Sequence, residues 1–217
     1  MKLGYTTLLF DLDGTLTDSA EGIINCVLYA LKPLGIEETD QKRLNSFIGP
    51  PLYDSFKRVY GLDKPTNLAA IERYRERYDK IGKFENRVYE GIPELLDRLK
   101  AAGYRLILAT AKPEKFSFEI LEHFGLYQKF DYLYGSDESI KRINKAQVIR
   151  DIRLAHPDIT PQNTIMIGDR NHDVLGASEN GLDCIGVLYG FGDREELEAA
   201  NAKYIVDTVE DLGKLLL

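Results

Sequence analysis

Five residues of this chain have types and placement suited to chemistry on phosphorus: Asp11 and Asp13 in "LLFDLDGTLTDS", Thr110 at the end of "ILAT", and Asp169 with Asp173 in "IGDRNHD". A carboxylate attacks phosphorus when a hard cation neutralises the phosphate oxygens, and the product is an aspartyl phosphate. Asp11 is the expected nucleophile. A second carboxylate must protonate the leaving oxygen and then take a proton from the attacking water, which is general acid and base work. Asp13 is placed for it. Mg²⁺ takes oxygen ligands in octahedral geometry and usually only one or two protein carboxylates besides substrate and water. Asp11 and Asp169 are expected to hold it, with Asp13 and Asp173 completing the acidic set and Asp173 orienting a water ligand.

Residues so far apart in sequence meet only if the elements before them end at one place. The runs "YTTLLFDLD", "YRLILAT", "FDYLYGS", "NTIMIGD", "CIGVLYG" and "AKYIVD" read as strands. "IPELLDRLKAAG", "PEKFSFEILEHFG" and "NKAQVIRDIRLAH" carry apolar residues at helical spacing. Strands alternating with helices predict an α/β fold, a Rossmann-like doubly wound parallel sheet with both faces covered. In such a sheet ligands sit at the carboxyl ends of the strands, where every one of the five residues falls. Between residue 19 and about residue 87 the rhythm breaks, because "EGIINCVLYALKPLG", "PPLYDSFKRVYG" and "NLAAIERYRERYDKIGKF" are helical in period. That stretch reads as a helical insert after the first strand, and Asp18 with Glu21 reads as a capping box opening it.

The chain has 217 residues, 44% of them apolar, ample for a buried core. Its formal charge of -7 argues against nucleic acid or an anionic membrane as partner, since both require a basic face, while a small anionic metabolite is still allowed. No apolar stretch approaches the roughly 20 residues that span a bilayer. Cys26 and Cys184 lie far apart, no cleavable signal pattern opens the sequence, and reduced thiols in a cytoplasmic protein, monomeric or homodimeric, are expected.

In order, "DLDGTLTDS", "ILAT", a lysine opening a helix at Lys145 and "IGDRNHD" resemble the motifs of the haloacid dehalogenase-like hydrolases, over essentially the whole chain. With "ATAKP" and "FIGPPL", the sequence looks most similar to phosphoglycolate phosphatases and their relatives. The resemblance implies a hydrolase core of residues 1–15 and 88–217 and a helical cap domain of residues 16–87. It also implies that Asp11 is the nucleophile and Asp13 the acid and base, that Thr110 and Lys145 bind the transferring phosphoryl group, and that Asp169 and Asp173 serve Mg²⁺. Gly14, Thr15, Ala111 and Lys112 flank the first two motifs and are the expected substrate contacts beside them. Where relatives often have a proline after the lysine, this chain reads "KRINKAQVI", so Lys141 and Arg142 compete with Lys145. Lys145 is preferred because it begins a helix, where anions bind. A cap in this family selects the leaving group, which directs attention to Phe47–Arg58: Gly49 and Pro50 suggest a tight loop, and Arg43, Lys57 or Arg58 could meet a substrate carboxylate.

Plainer readings exist for several of these residues. Asp173 could cap the helix "HDVLGASENG". "ERYRERYDK" reads as a solvated helix face laced with charge pairs. His123 and His156 lie in helical stretches with no partner visible in the sequence, His172 reads as a loop or helix-start residue, and none carries an assigned role. The expected function is a Mg²⁺-dependent phosphatase acting on a small phosphomonoester, with phosphoglycolate and nucleoside 5'-monophosphates as the leading substrates. A phosphomutase would use the same Asp11 but return the phosphoryl group to a sugar. A phospho-aspartate signalling or binding domain would need neither Asp13 nor a cap, and a dehalogenase would have no use for Asp169 and Asp173.

Overall fold

The computed structural model describes residues 3–137 and 144–217. Lys141 and Arg142 lie outside the described residues. The chain divides into two compact units, one of Met1–Thr17 with Val88–Leu217 and one of Asp18–Arg87. The first boundary falls past residue 16, because Leu16 is fully buried in the core of the larger unit.

The larger unit is built on a parallel six-stranded sheet in the order β5-β4-β1-β6-β7-β8. Its strands are β1 (Thr7–Phe10), β4 (Arg105–Pro113), β5 (Tyr132–Ser136), β6 (Thr164–Gly168), β7 (Asp183–Val187) and β8 (Tyr204–Val206). All coincide with the six β-rich runs of the sequence. Uninterrupted apolar stretches such as "TLLF" and "TIMIG" are fully buried, as expected for strands covered on both faces.

Alternation along each strand divides the core in two. Leu8, Phe10, Leu106, Leu108, Ile165 and Ile167 join Ile92, Leu96 and Leu99 of α5 (Ile92–Ala101), Ile120 and Leu121 of α6 (Glu114–His123) and Leu212 of α10 (Val209–Leu216). Leu9, Ile107, Ala109, Met166 and Cys184 join α7 (Lys145–Ala155), α8 (Asn171–Glu179) and α9 (Arg194–Ala199) through Val148, Ile152, Val174, Ala177 and Leu197. Cys184 is thus a buried apolar side chain, and its thiol is pushed well above its ordinary pKa by burial. The short helices α9 and α10 have no counterpart in the sequence reading, because too few turns are present for an apolar period to declare itself.

The smaller unit is helical: α1 (Ala20–Leu31), α2 (Gln41–Asn45), α3 (Leu52–Tyr60) and α4 (Lys64–Lys80). Two-residue strands β2 (Thr17–Asp18) and β3 (Arg87–Val88) pair where the chain passes between units. Gly61, at φ 64°, ends α3 in the left-handed region that favours glycine. The capping box does not form. Helix α1 starts at Ala20 after Ser19, and the Asp18 carboxylate instead accepts from the Ala20 amide at 3.2 Å and pairs with the Arg87 guanidinium at 2.6 Å.

Only part of "ERYRERYDK" is a solvated face. Arg73 and Glu76 pair at 3.0 Å on the surface, but Tyr74 and Tyr78 are buried and stacked with centroids 5.4 Å apart. Arg77 makes a bidentate pair with Glu85 at 2.6 and 2.8 Å, and its Nη1 lies 3.4 Å from Cys26 Sγ. Phe47 and Ile48 are buried, Phe47 packing edge-on against Phe56 at 4.9 Å. They anchor the loop carrying Gly49 and Pro50, with Gly49 exposed at φ 102°. Arg43 donates to Val59 O and pairs with Glu38, and Arg58 donates to Ser46 O, so both arginines fasten this unit together. Lys57 is exposed.

Candidate active site

Strand register brings the sequence motifs to one edge. Phe10 is level with Leu108 of β4 and Ile167 of β6, so Asp11 and Asp169 follow the carboxyl ends of β1 and β6, with Thr110 close by in β4, which runs on to Pro113. The Asp11 amide still donates to Ile167 O at 3.0 Å, which fixes the backbone where the side chain leaves the sheet.

Lys145 joins these groups. Asn144 caps α7 by accepting the Gln147 amide at 3.0 Å, and Lys145 follows as the first helical residue. Its side chain is 4% exposed, with Nζ 2.6 Å from Asp11 Oδ1, 2.8 Å from Asp173 Oδ1 and 2.8 Å from Ala109 O. Burial pulls the ammonium pKa down, but Asp11 and Asp173 outweigh it and hold the group protonated well above its ordinary range.

Asp173 takes the helix-capping role expected of it and also faces Lys145. It lies in the first turn of α8, where Oδ2 accepts the Arg170 amide at 3.1 Å, while Oδ1 faces Lys145. Asp169 is fully buried, and its Oδ2 accepts the Phe191 amide at 2.8 Å. Burial first, then the charges of Asp173 and Asp11, push its carboxyl well above the usual range. Asp11 is also raised: burial dominates, Lys145 pulls it back, and the Asp173 charge adds to the rise. Thr110, 2% exposed, lies near enough to Asp11 to help lower its carboxyl pKa and accepts the Lys112 amide at 3.2 Å.

Among the described residues, Asp11, Asp169 and Asp173 form one cluster of carboxylate oxygens lying within 4.8 Å of one another. One ammonium cannot balance three buried carboxylates, and an all-oxygen hard donor set suits Mg²⁺ or Mn²⁺. The residues therefore fit a small divalent cation. The Asp13 carboxylate is outside this cluster. Its Oδ2 is taken by Lys112 Nζ at 2.6 Å, and its Oδ1 is buried without a hydrogen-bond partner.

Gly14 and Thr15 pack against Asp169, the Thr15 hydroxyl at 3.5 Å from its Oδ1. Gly14 has φ +80°, and a Cβ there would stand 2.0 Å from Asp169 Oδ2. Gly14→Ala is expected to cost at least about 2 kcal/mol, combining left-handed strain with displacement of Asp169. A fall of roughly 4–8 °C in the melting temperature of the chelated protein checks this. Ala111 is half-buried at the end of β4. Gly49 and Pro50 belong to the helical unit.

Several contributors escaped the sequence reading. The strand expected over "CIGVLYG" stops at Val187, and the segment "LYGFG" that follows turns over Asp169. A Cβ on Gly190 would lie 2.4 Å from Asp169 Cβ, and one on Gly192 would lie 1.9 Å from Asp169 O. The spacing of these glycines around Phe191 is the available signal, because glycine marks close backbone approach. Tyr189 donates to Thr15 O at 3.1 Å, and His156, expected to lack partners, meets Tyr134 Oη at 3.1 Å through Nε2.

This α/β core with acidic strand ends is that of a known class, and the chain belongs to the haloacid dehalogenase-like hydrolase family, whose sequence model matches residues 8–187. It is a hydrolase of that family. The chain is similar to a 5'-nucleotidase of Pseudomonas aeruginosa, with 49% identity over 197 residues, 91% of this chain and 89% of that protein. It is 35% identical over 211 residues to the tyrosine-protein kinase PtkA of Mycobacterium tuberculosis, covering 96% of this chain and 72% of that one. The crystal structure of a predicted phosphatase from Clostridium acetobutylicum matches it with a TM-score of 0.91 and 49% identity over 97% of each chain.

Proposed function

We propose that this protein is a divalent-cation-dependent phosphatase that hydrolyses small phosphomonoesters through a phosphorylated Asp11. The observation that carries the reading is the Lys145 ammonium bridging Asp11 and Asp173 at the strand ends, beside Thr110 and Asp169. Asp11 attacks phosphorus, the bond from phosphorus to the leaving oxygen breaks, and protonated Asp13 gives that oxygen its proton. Water then attacks the phosphorus of the acyl phosphate while Asp13 takes its proton, releasing phosphate and restoring Asp11. Lys145 and the Thr110 hydroxyl hold the phosphoryl oxygens throughout. Asp11, Asp169 and Asp173 would hold Mg²⁺, which when bound withdraws charge from the phosphoryl oxygens and eases the approach of an anionic nucleophile. The helical unit serves as the cap that selects the leaving group. Similarity to the Pseudomonas nucleotidase supports nucleoside 5'-monophosphates as the first substrates to try, with phosphoglycolate next.

The test is phosphate release from nucleoside 5'-monophosphates, phosphoglycolate and sugar phosphates, each with Mg²⁺ and with chelator. Cation-dependent release is expected. A phosphoryl group recovered on a sugar or a tyrosine, with no free phosphate, would move the protein to phosphoryl transfer between organic acceptors.

The acidic cluster also sets a pH dependence. Folded-state carboxyl pKa values raised at Asp11 and Asp169 mean that their contribution to stability is fully present below about pH 4, the unfolded value, and is lost as pH rises through the folded values. Asp131, Asp158 and Asp183 are lowered instead, so their contribution is lost only on the acid side. Above about pH 4 the raised pair makes stability fall as pH rises. Without divalent cation, Asp169→Asn should melt higher than the wild-type protein, by about 2–6 °C near neutral pH, and the gap should widen from acid to neutral. Thermal scans of both proteins in chelator measure it.

A further inference from the structure

Helix α8 carries Asp173 and follows directly on Asp169, yet its N-cap residue is Arg170, a side chain with no acceptor to offer the first amides of the helix. The missing acceptor comes from another helix. Glu196 of α9 takes the Asn171 amide at 2.8 Å and Arg170 Nε at 2.9 Å, both on Oε1. It thereby grips the residues between the two aspartates, while the Arg170 amide holds Asp173 Oδ2.

Glu196 is itself rigidly mounted. Its amide donates to the α9 N-cap, Asp193 Oδ1, at 2.8 Å. The next residue, Leu197, is fully buried beneath the sheet against Gly186, where a Cβ would stand 2.7 Å from Leu197 Cδ1. The anchoring therefore runs from the apolar core through Glu196 to the turn that aims Asp169 and Asp173.

We propose that Glu196 is a positioning residue for the divalent cation: it caps α8 from outside and pairs with Arg170, so that the turn between Asp169 and Asp173 is fixed and both carboxylates are set for binding. The inference rests on the proposed cation site but assigns a residue outside it. Partners that orient ligating carboxylates typically govern metal affinity by about 10–100-fold.

The experiment is calorimetric titration of Mn²⁺ into the metal-free wild-type, Glu196→Ala and Glu196→Gln proteins, well below their melting temperatures. Glu196→Ala should raise the Mn²⁺ Kd by about 10–100-fold, while Glu196→Gln, which keeps an acceptor for the Asn171 amide, should lie between it and the wild type. An effect limited to folding would lower the melting temperature of Glu196→Ala and leave its Kd unchanged, overturning the inference while the cation site stands. Failure of the wild-type protein to bind Mn²⁺ would remove the cation site itself and the inference with it. If Glu196→Ala does not fold, Glu196→Asp, too short to reach both donors, takes its place with the same expected rise.

Discussion

Asp11→Asn is expected to reduce phosphate release by at least about 10³-fold while leaving a folded protein that melts no lower than the wild type in chelator. The amide keeps the shape of the carboxylate but has no charge to bring to phosphorus. The second half of the expectation follows from the cluster: burial raises the carboxyl of Asp169, and the charges of Asp173 and Asp11 add to that rise. Neutralising Asp11 relieves Asp169 and Asp173 but deprives Lys145 of one partner, so the stability change is small compared with the kinetic one. Turnover assays beside thermal scans separate the two. Activity within tenfold of wild type would mean that some other group attacks phosphorus.

Lys145→Met should be the most destabilising single substitution at the site and should lower turnover as well. The ammonium is fully enclosed and touches Asp11, Asp173 and Ala109 O, and methionine fills much the same volume while supplying no donor. Removing one member of a buried charged group leaves the others uncompensated, at a cost of about 3–5 kcal/mol. Loss of a charged group aimed at the phosphoryl oxygens should lower turnover by about 10²–10³-fold in addition. The two effects can be told apart. Lys145→Met with Asp173→Asn removes one of the stranded carboxylates and should recover part of the lost melting temperature, whereas turnover should stay low. A Lys145→Met protein as stable and active as wild type would show that the ammonium is dispensable.

The acidic positions were legible in the sequence because their signal is local. "LLFDLD", "ILAT" and "TIMIGD" each couple an apolar run to a polar residue at its end, and a buried parallel strand requires that pattern. Lys145 was legible through the helix it opens, while Lys141 and Arg142, which compete with it in the sequence, lie outside the described residues. The pairing of Lys112 with Asp13 was not readable, since the expected acid and base and a residue flanking another motif gain a contact only from the register of β1 against β4. Neither was the grip of Glu196 on Arg170 and Asn171, which depends on α9 crossing back beside β7.

Sequence alone therefore determined the class of fold, the strands and most of their ends, the helical insert, and the residue types delivered to the carboxyl edge. Hydrophobic periodicity and chain punctuation act over a few residues and are written in the order of the amino acids. Tertiary structure alone decided that three of the four acidic residues cluster while Asp13 turns to Lys112, that Lys145 bridges Asp11 and Asp173, and that Gly190 and Gly192 close over Asp169. The reason is physical: electrostatic and steric terms between buried groups change steeply over an ångström, and such distances are set by the packing of elements far apart in the chain.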